Sequence, residues 1–262
     1  MTMQKTIKHP TRWLVTACAL ALAPGLAWAD GRGDYAREQG WDSPVPDMQT
    51  GVLLFDRLEY AAGDDEDSVD WEFKGWYGGD TNRLVVKGEG EHVVSGGDGG
   101  EIEALDLLYG RLIAPYWSVQ AGVGYQLEYG PGPNHDRGFA VVGLEGLAPY
   151  WFEIDTSLRV SEDGDASVDF EAEYDFLLTQ RLVLQPRFGT SFAFQEVEEF
   201  GVGQGVNHVK AGLRLRYEIK REFAPYIGVS WKKQLGDTAD LARAEGHDTD
   251  DLRFVAGVRM WF

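Results

Sequence analysis

Thiols are the first thing missing. The chain of 262 residues has one cysteine, Cys18, and it lies within residues 1–29, which read as a removable secretory leader. Lys5, Lys8 and Arg12 form a basic head. Residues 13–26 are an apolar stretch broken by Pro24-Gly25, and Ala27-Trp28-Ala29 is a small-x-small cleavage site. Past Ala29 there is no thiol, so disulfides and thiolate metal sites are excluded. No run of about 20 apolar residues follows the leader, which excludes a transmembrane helix. Any span must then be a closed barrel, where the backbone satisfies itself. Bases are scarce too: 24 Lys and Arg against 43 Asp and Glu give a formal charge of −19. That is a poor binder of nucleic acid and a good attractor of cations. Soft and borderline metal ligands are few. After the leader only His92, His135, His208 and His247 remain, with Met48 and Met260. There is no H-x-H, no H-E-x-x-H and no methionine run. No G-x-S-x-G is present, and a barrel hydrolase would need a Ser or Asp paired with His at the outer rim; no enzyme is expected.

What the chain does have is glycine, aromatics and alternation. The last ten residues show it best. Phe254, Ala256, Val258, Met260 and Phe262 are apolar, and the other set holds Arg253 and Arg259. Period two means a strand with one apolar and one mixed face, and it runs to an aromatic last residue. Residues 30–50 show no period and read as a short periplasmic extension; residues 51–262 read as strand after strand. Twelve segments alternate: 52–60, 69–77, 83–89, 103–113, 117–129, 139–147, 151–160, 167–176, 181–194, 206–219, 226–235 and 253–262. Pro186 should bend the ninth, since proline is a fault inside a sheet. The connections alternate in kind. Short ones, at 78–82, 114–116, 148–150, 178–180 and 220–225, take turns with longer acidic or glycine-rich ones at 61–68, 90–100, 130–137, 161–166, 195–205 and 236–250. Short periplasmic turns opposite long outer loops is the topology of outer-membrane barrels. Ala-Pro-Tyr recurs at 114–116, 148–150 and 224–226, always on the short-turn side, which suggests turns carrying an aromatic girdle. The expected fold is an all-β, transmembrane antiparallel barrel of about 12 strands with both termini periplasmic, in the bacterial outer membrane and in contact with its lipid.

If the apolar faces meet lipid, charges must point inward or sit at a rim, because a base at the bilayer midplane costs roughly 2–4 kcal/mol. Alternation then places Asp106, Glu128, Glu153, Asp155, Asp169, Glu171, Glu173 and Asp175 on an acidic side of the lumen. Arg187, Lys210, Arg214, Arg216, Arg253 and Arg259 fall on a basic side. Such rows would impose a transverse field or brace the pore. His208 is the one histidine expected inside. The candidate metal ligands are therefore His208, Asp106, Glu128, Glu153, Asp155, Glu171 and Glu173, a carboxylate-rich set suited to a borderline divalent ion. Parity leaves the first segment unassigned, because Asp56 falls on one face and Arg57 and Glu59 on the other.

Specific strings add a resemblance. Trp76-Tyr77-Gly78-Gly79-Asp80, Ile113-Ala114-Pro115-Tyr116-Trp117, Gly146-Leu147-Ala148-Pro149-Tyr150-Trp151-Phe152-Glu153, Leu177-Leu178-Thr179-Gln180-Arg181-Leu182 and Arg221-Glu222-Phe223-Ala224-Pro225-Tyr226-Ile227-Gly228-Val229-Ser230-Trp231 resemble the copper-resistance protein B family of Gram-negative outer membranes. The resemblance runs from about Leu53 to Phe262. It implies an outer-membrane barrel in copper homeostasis, with copper ion as the bound or transported species. The partners it implies are periplasmic copper carriers or a multicopper oxidase of the same resistance system. A strand ending in Phe262 also resembles the signal read by the barrel-assembly machinery. Members of that family often carry a Met- and His-rich segment ahead of the barrel; residues 30–50 hold one Met and no His. The alternative is a general small-solute porin without metal specificity.

Overall fold

Alternation of this kind leaves a strand with one face to bury, and a sheet closed on itself buries that face without leaving an edge. The computed structural model describes residues 49–63, 66–95, 99–130 and 134–262. The leader and nearly all of the 30–50 extension lie outside the described residues. The strands are β1 (Thr50–Ala62), β2 (Asp67–Gly78), β3 (Asn82–Ser95), β4 (Gly99–Ala114), β5 (Trp117–Tyr129), β6 (His135–Ala148), β7 (Phe152–Ser161), β8 (Ala166–Glu173), β9 (Phe176–Leu177), β10 (Leu182–Ala193), β11 (Gly205–Tyr217), β12 (Phe223–Gln234) and β13 (Asp250–Trp261). One helix, α1 (Gly236–Glu245), lies between β12 and β13. Each strand pairs antiparallel with its neighbours, and β13 pairs with β1 to close the ring. Both β8 and β9 pair with β10 in one continuous register, so they are two pieces of one stave. The result is a closed barrel of twelve staves.

The outer wall carries the exposed apolar set: Leu107, Val123, Val142, Ile227 and Phe254 alternate with buried or half-buried residues. β1 starts and β13 ends at the end of the barrel where the short turns lie, which is the periplasmic end in this architecture. Two Ala-Pro-Tyr copies are turns. Tyr116 and Tyr150 sit at φ of 68° and 70° and Trp151 at 69°, a left-handed conformation that bulky residues seldom adopt. Tyr150 is 83% exposed, and with Tyr116 and Trp151 it forms an aromatic rim. The third copy departs from expectation. Ala224-Pro225-Tyr226 is strand, the opening of β12, and Tyr226 is buried inside the barrel.

Four other expectations need correction. The long connection at 90–100 is largely ladder, since β3 runs to Ser95 and β4 starts at Gly99, and β1 and β2 take up half of 61–68; these hairpins overreach the roughly 9–11 residues a bilayer requires. Pro186 leaves the β10–β11 register unbroken. Tyr174 donates its backbone N–H to the Pro186 carbonyl (3.2 Å), so the two form a pair in which the proline should donate back and cannot. The break therefore falls in the neighbour, between β8 and β9. The lumen is not polar throughout, because Val85, Leu108, Phe139 and Val141 pack together inside with Trp76 against them. Finally, residues 236–250 contain α1, ended by Gly246 at φ 86°, whose N–H reaches the Ala242 and Arg243 carbonyls, a common helix stop.

Candidate functional site

The site is the lumen, and its geometry starts with one extra residue. Phe55 faces Phe73 across the β1–β2 ladder, but Arg57 faces Glu72. Asp56 is thus inserted as a bulge, which resets alternation on one strand. That is why parity could not place it: Asp56, Arg57 and Glu59 all lie inside. The Arg259 guanidinium donates to Asp56 (2.6 Å). Arg57 donates to Glu72 (2.6 Å) and Glu89 (2.5 Å). Arg187, from the far wall on β10, donates to Glu72 at 2.7 Å and to both oxygens of Glu171. Arg214 on β11 grips Glu59 with two nitrogens, at 2.9 and 2.5 Å, and its guanidinium lies 6.0 Å from the Tyr226 ring. Arg216 donates to Asp175 (2.6 Å). Guanidinium forks suit such carboxylate pairs.

Lysines also cross the lumen. Lys74 on β2 pairs with Glu145 on β6, and Lys87 on β3 pairs with both Glu145 (3.1 Å) and Asp155 on β7. Lys210 on β11 reaches Glu103 on β4 (2.8 Å). Arg159 on β7 donates to both oxygens of Asp106 at 3.0 and 2.7 Å. Acid and base are therefore interleaved around the wall, and the two opposed rows expected from alternation are not what the structure shows. Bases on β2, β3 and β7 and acids on β1 to β4 complete the network.

A cavity of about 390 Å³ lies within this network, lined by acidic, basic and apolar side chains including Asp106, Asp155, Arg159, Glu171, His208 and Lys210. Its outer side is covered by the β10–β11 connection and α1. Phe200, Val202 and Thr238 line it there, and the Arg137 guanidinium is held between the Phe200 ring (4.1 Å) and the Phe139 ring (4.9 Å). The Gly203 N–H donates to Thr238 Oγ1 (2.9 Å), which ties this connection to the helix. Nothing in the sequence pattern pointed to this cover, although the run Ala239, Leu241, Ala242, Ala244 closed by Gly246 is a legible helix.

Of the residues singled out from sequence, Asp106, Asp155, Glu171, Arg187, Arg214, Arg216 and Arg259 are inside and ion-paired. Glu153 and Glu173 face one another across β7–β8, and Glu173 accepts from Gln185 at 3.3 Å. Glu128 is exposed near the outer end of β5. His208 lies beside Lys210, with Lys232 opposite that lysine on β12. Among the described residues, no three of His, Asp and Glu come together so as to hold a metal ion. Sequence reasoning passed over Lys87, Glu103 and Glu145; it left Glu59 unassigned, and it put Glu72, Lys74 and Arg159 on polar faces without naming them as lumen residues.

A lipid-facing barrel of twelve antiparallel staves with a charged interior defines an outer-membrane β-barrel protein, and its place is the bacterial outer membrane. Comparison makes the assignment narrower. The family model for the copper resistance protein B precursor (CopB) matches residues 49–262. Copper resistance protein B of Escherichia coli is 43% identical over 242 residues, which covers 91% of this chain and 78% of that protein. A copper resistance protein B homolog of Pseudomonas syringae pv. tomato is 36% identical over 242 residues, 91% of this chain and 79% of that one. The chain belongs to the copper resistance protein B family. Among solved structures, a KdgM porin and a NanC porin each give a TM-score of 0.48 at 11% identity, over 80% of this chain and 99% of theirs. That likeness is too distant for their pores to speak for this one.

Proposed function

We propose that this protein serves copper tolerance by passing copper ions across the outer membrane through its carboxylate-lined lumen. Family membership carries the copper, and the carboxylates of the cavity carry the route. The donors present suit passage better than storage. The carboxylates are spread along the wall, Asp106, Asp155 and Glu171 are engaged by bases, and Lys210 beside His208 with Lys232 opposite that lysine makes that imidazole a poor seat for a cation. Asp106, Asp155, Glu171, Glu173 and Glu153 are the oxygen donors proposed to line the route, with His208 inside the cavity and Glu128 near its outer rim. Such an ion would exchange with the protein's own ammonium and guanidinium groups. The periplasmic copper carriers or oxidase of the same system would receive or supply the ion at the short-turn end. No step asks the chain for catalysis.

Loss of the protein should change cellular copper content and tolerance, measured by metal analysis and growth on copper. Glu171→Gln with Glu173→Gln should lower copper flux into vesicles carrying the purified barrel. An unchanged flux would make those two carboxylates structural. Large, unselective conductance in planar bilayers would point instead to a general porin.

A further inference from the structure

The β2–β3 and β6–β7 ladders carry complementary pairs of like charges. Lys74 stands directly opposite Lys87, and Glu145 stands directly opposite Asp155. Like charges directly opposite one another destabilise a sheet, so each pair is unfavourable alone. They meet across the lumen, where Lys74 reaches Glu145 and Lys87 reaches both Glu145 and Asp155, while Lys87 also stands opposite Asp106 in the β3–β4 ladder. The Gln120 amide donates at 2.8 Å to Glu145 Oε2, the oxygen that Lys87 also approaches. Lys74, Lys87, Gln120 and Asp155 all line the cavity.

We infer that Lys74 and Lys87 set the ion selectivity of the lumen: they are tethered cations that occupy the Glu145–Asp155 pair and close this part of the lumen to free cations. The chemistry of the two kinds of base separates lock from gate. Arg187 and Arg214 hold Glu171 and Glu59 as forks, and the Arg214 and Glu59 side chains are 5% and 1% exposed. The lysine side chains are 32% and 19% exposed, so water reaches them. An ammonium is a single point charge on a flexible stem, so it can leave its carboxylates when another cation takes its place. A guanidinium held by two hydrogen bonds cannot do so as readily. The inference rests on the proposed passage of copper only for the identity of the natural ion; the gate itself is a statement about any small cation.

The test uses the full mature chain in planar bilayers under a KCl gradient. Lys74→Met with Lys87→Met keeps side-chain length and removes both charges. It should raise conductance and shift the zero-current potential toward that of potassium. An unchanged potential in a folded barrel, checked by heat-modifiable migration on gels, overturns the inference. Glu145→Gln with Asp155→Asn provides a second arm should the lysine variant not fold. It leaves two uncompensated ammonium groups and should shift the potential toward chloride; no shift there also overturns the inference. Copper tolerance of cells carrying the lysine variant separates the two readings. A shifted potential with unaltered tolerance would leave the gate standing and remove copper passage.

Discussion

Glu59 and Arg214 show what one residue can hold. The pair joins β1 to β11 inside the barrel, and neither side chain meets solvent to any extent. Removing one partner strands a buried charge, which costs about 3–5 kcal/mol, whereas replacing both with apolar residues of similar volume is often neutral. Glu59→Ala should therefore lower the urea midpoint of the barrel sharply, and Glu59→Met with Arg214→Met should recover most of it. Pairs at the rim behave differently. Lys233 and Asp250 are well exposed, and deleting either should change stability little. The sequence disclosed the inward direction of Arg214 through alternation on its own strand. It did not disclose the inward direction of Asp56, because a bulge is a property of two paired strands and leaves alternation on one of them ambiguous.

At the scale of elements, Pro186 and Gly203 mark two local decisions. Pro186 splits a stave by withholding one N–H from Tyr174. Pro186→Val would restore that hydrogen bond, worth about 0.5–1.5 kcal/mol, while freeing the unfolded chain by about 0.4–1 kcal/mol. The two nearly cancel, so overall stability should hardly move. Amide exchange at Phe176 and Leu177 should nevertheless slow as β8 and β9 become one strand. Gly203 lies against α1 so closely that a Cβ would sit 2.3 Å from the Thr238 nitrogen. Gly203→Ala should lift the helix, and trypsin should cut faster at the exposed Arg243 in its last turn. The proline was visible in the sequence and its effect was assigned to the wrong strand, because the missing donor is felt by the partner. The glycine carried no signal at all, since its constraint comes from a helix more than thirty residues on in the chain.

For the whole molecule, closure is the decisive event. Phe262 exchanges backbone hydrogen bonds with Leu53, donating at 2.9 Å and accepting at 3.1 Å, so the last residue seals the chain's last strand to its first. Deleting Phe262 should reduce the yield of heat-modifiable barrel in outer-membrane fractions beyond what two lost hydrogen bonds explain, if the barrel-assembly machinery also reads that residue. Closure also sets the charge logic. The chain carries a large acidic excess, yet inside the barrel most lumen acids meet a base from a distant strand, as Arg187 does with Glu72.

By itself the sequence determined the class: period-two alternation, sorted connections and the absence of any long apolar run leave a closed barrel as the one span that satisfies its backbone. It also carried the strings that place the chain in its family. Only the tertiary structure decided which charges meet, that the lumen is part ionic and part apolar, and that a loop and a helix cover its outer side. The physical reason is range. Alternation is local and is written strand by strand, whereas an ion pair across a lumen depends on bulges, register and closure, which exist only when all twelve staves are in place.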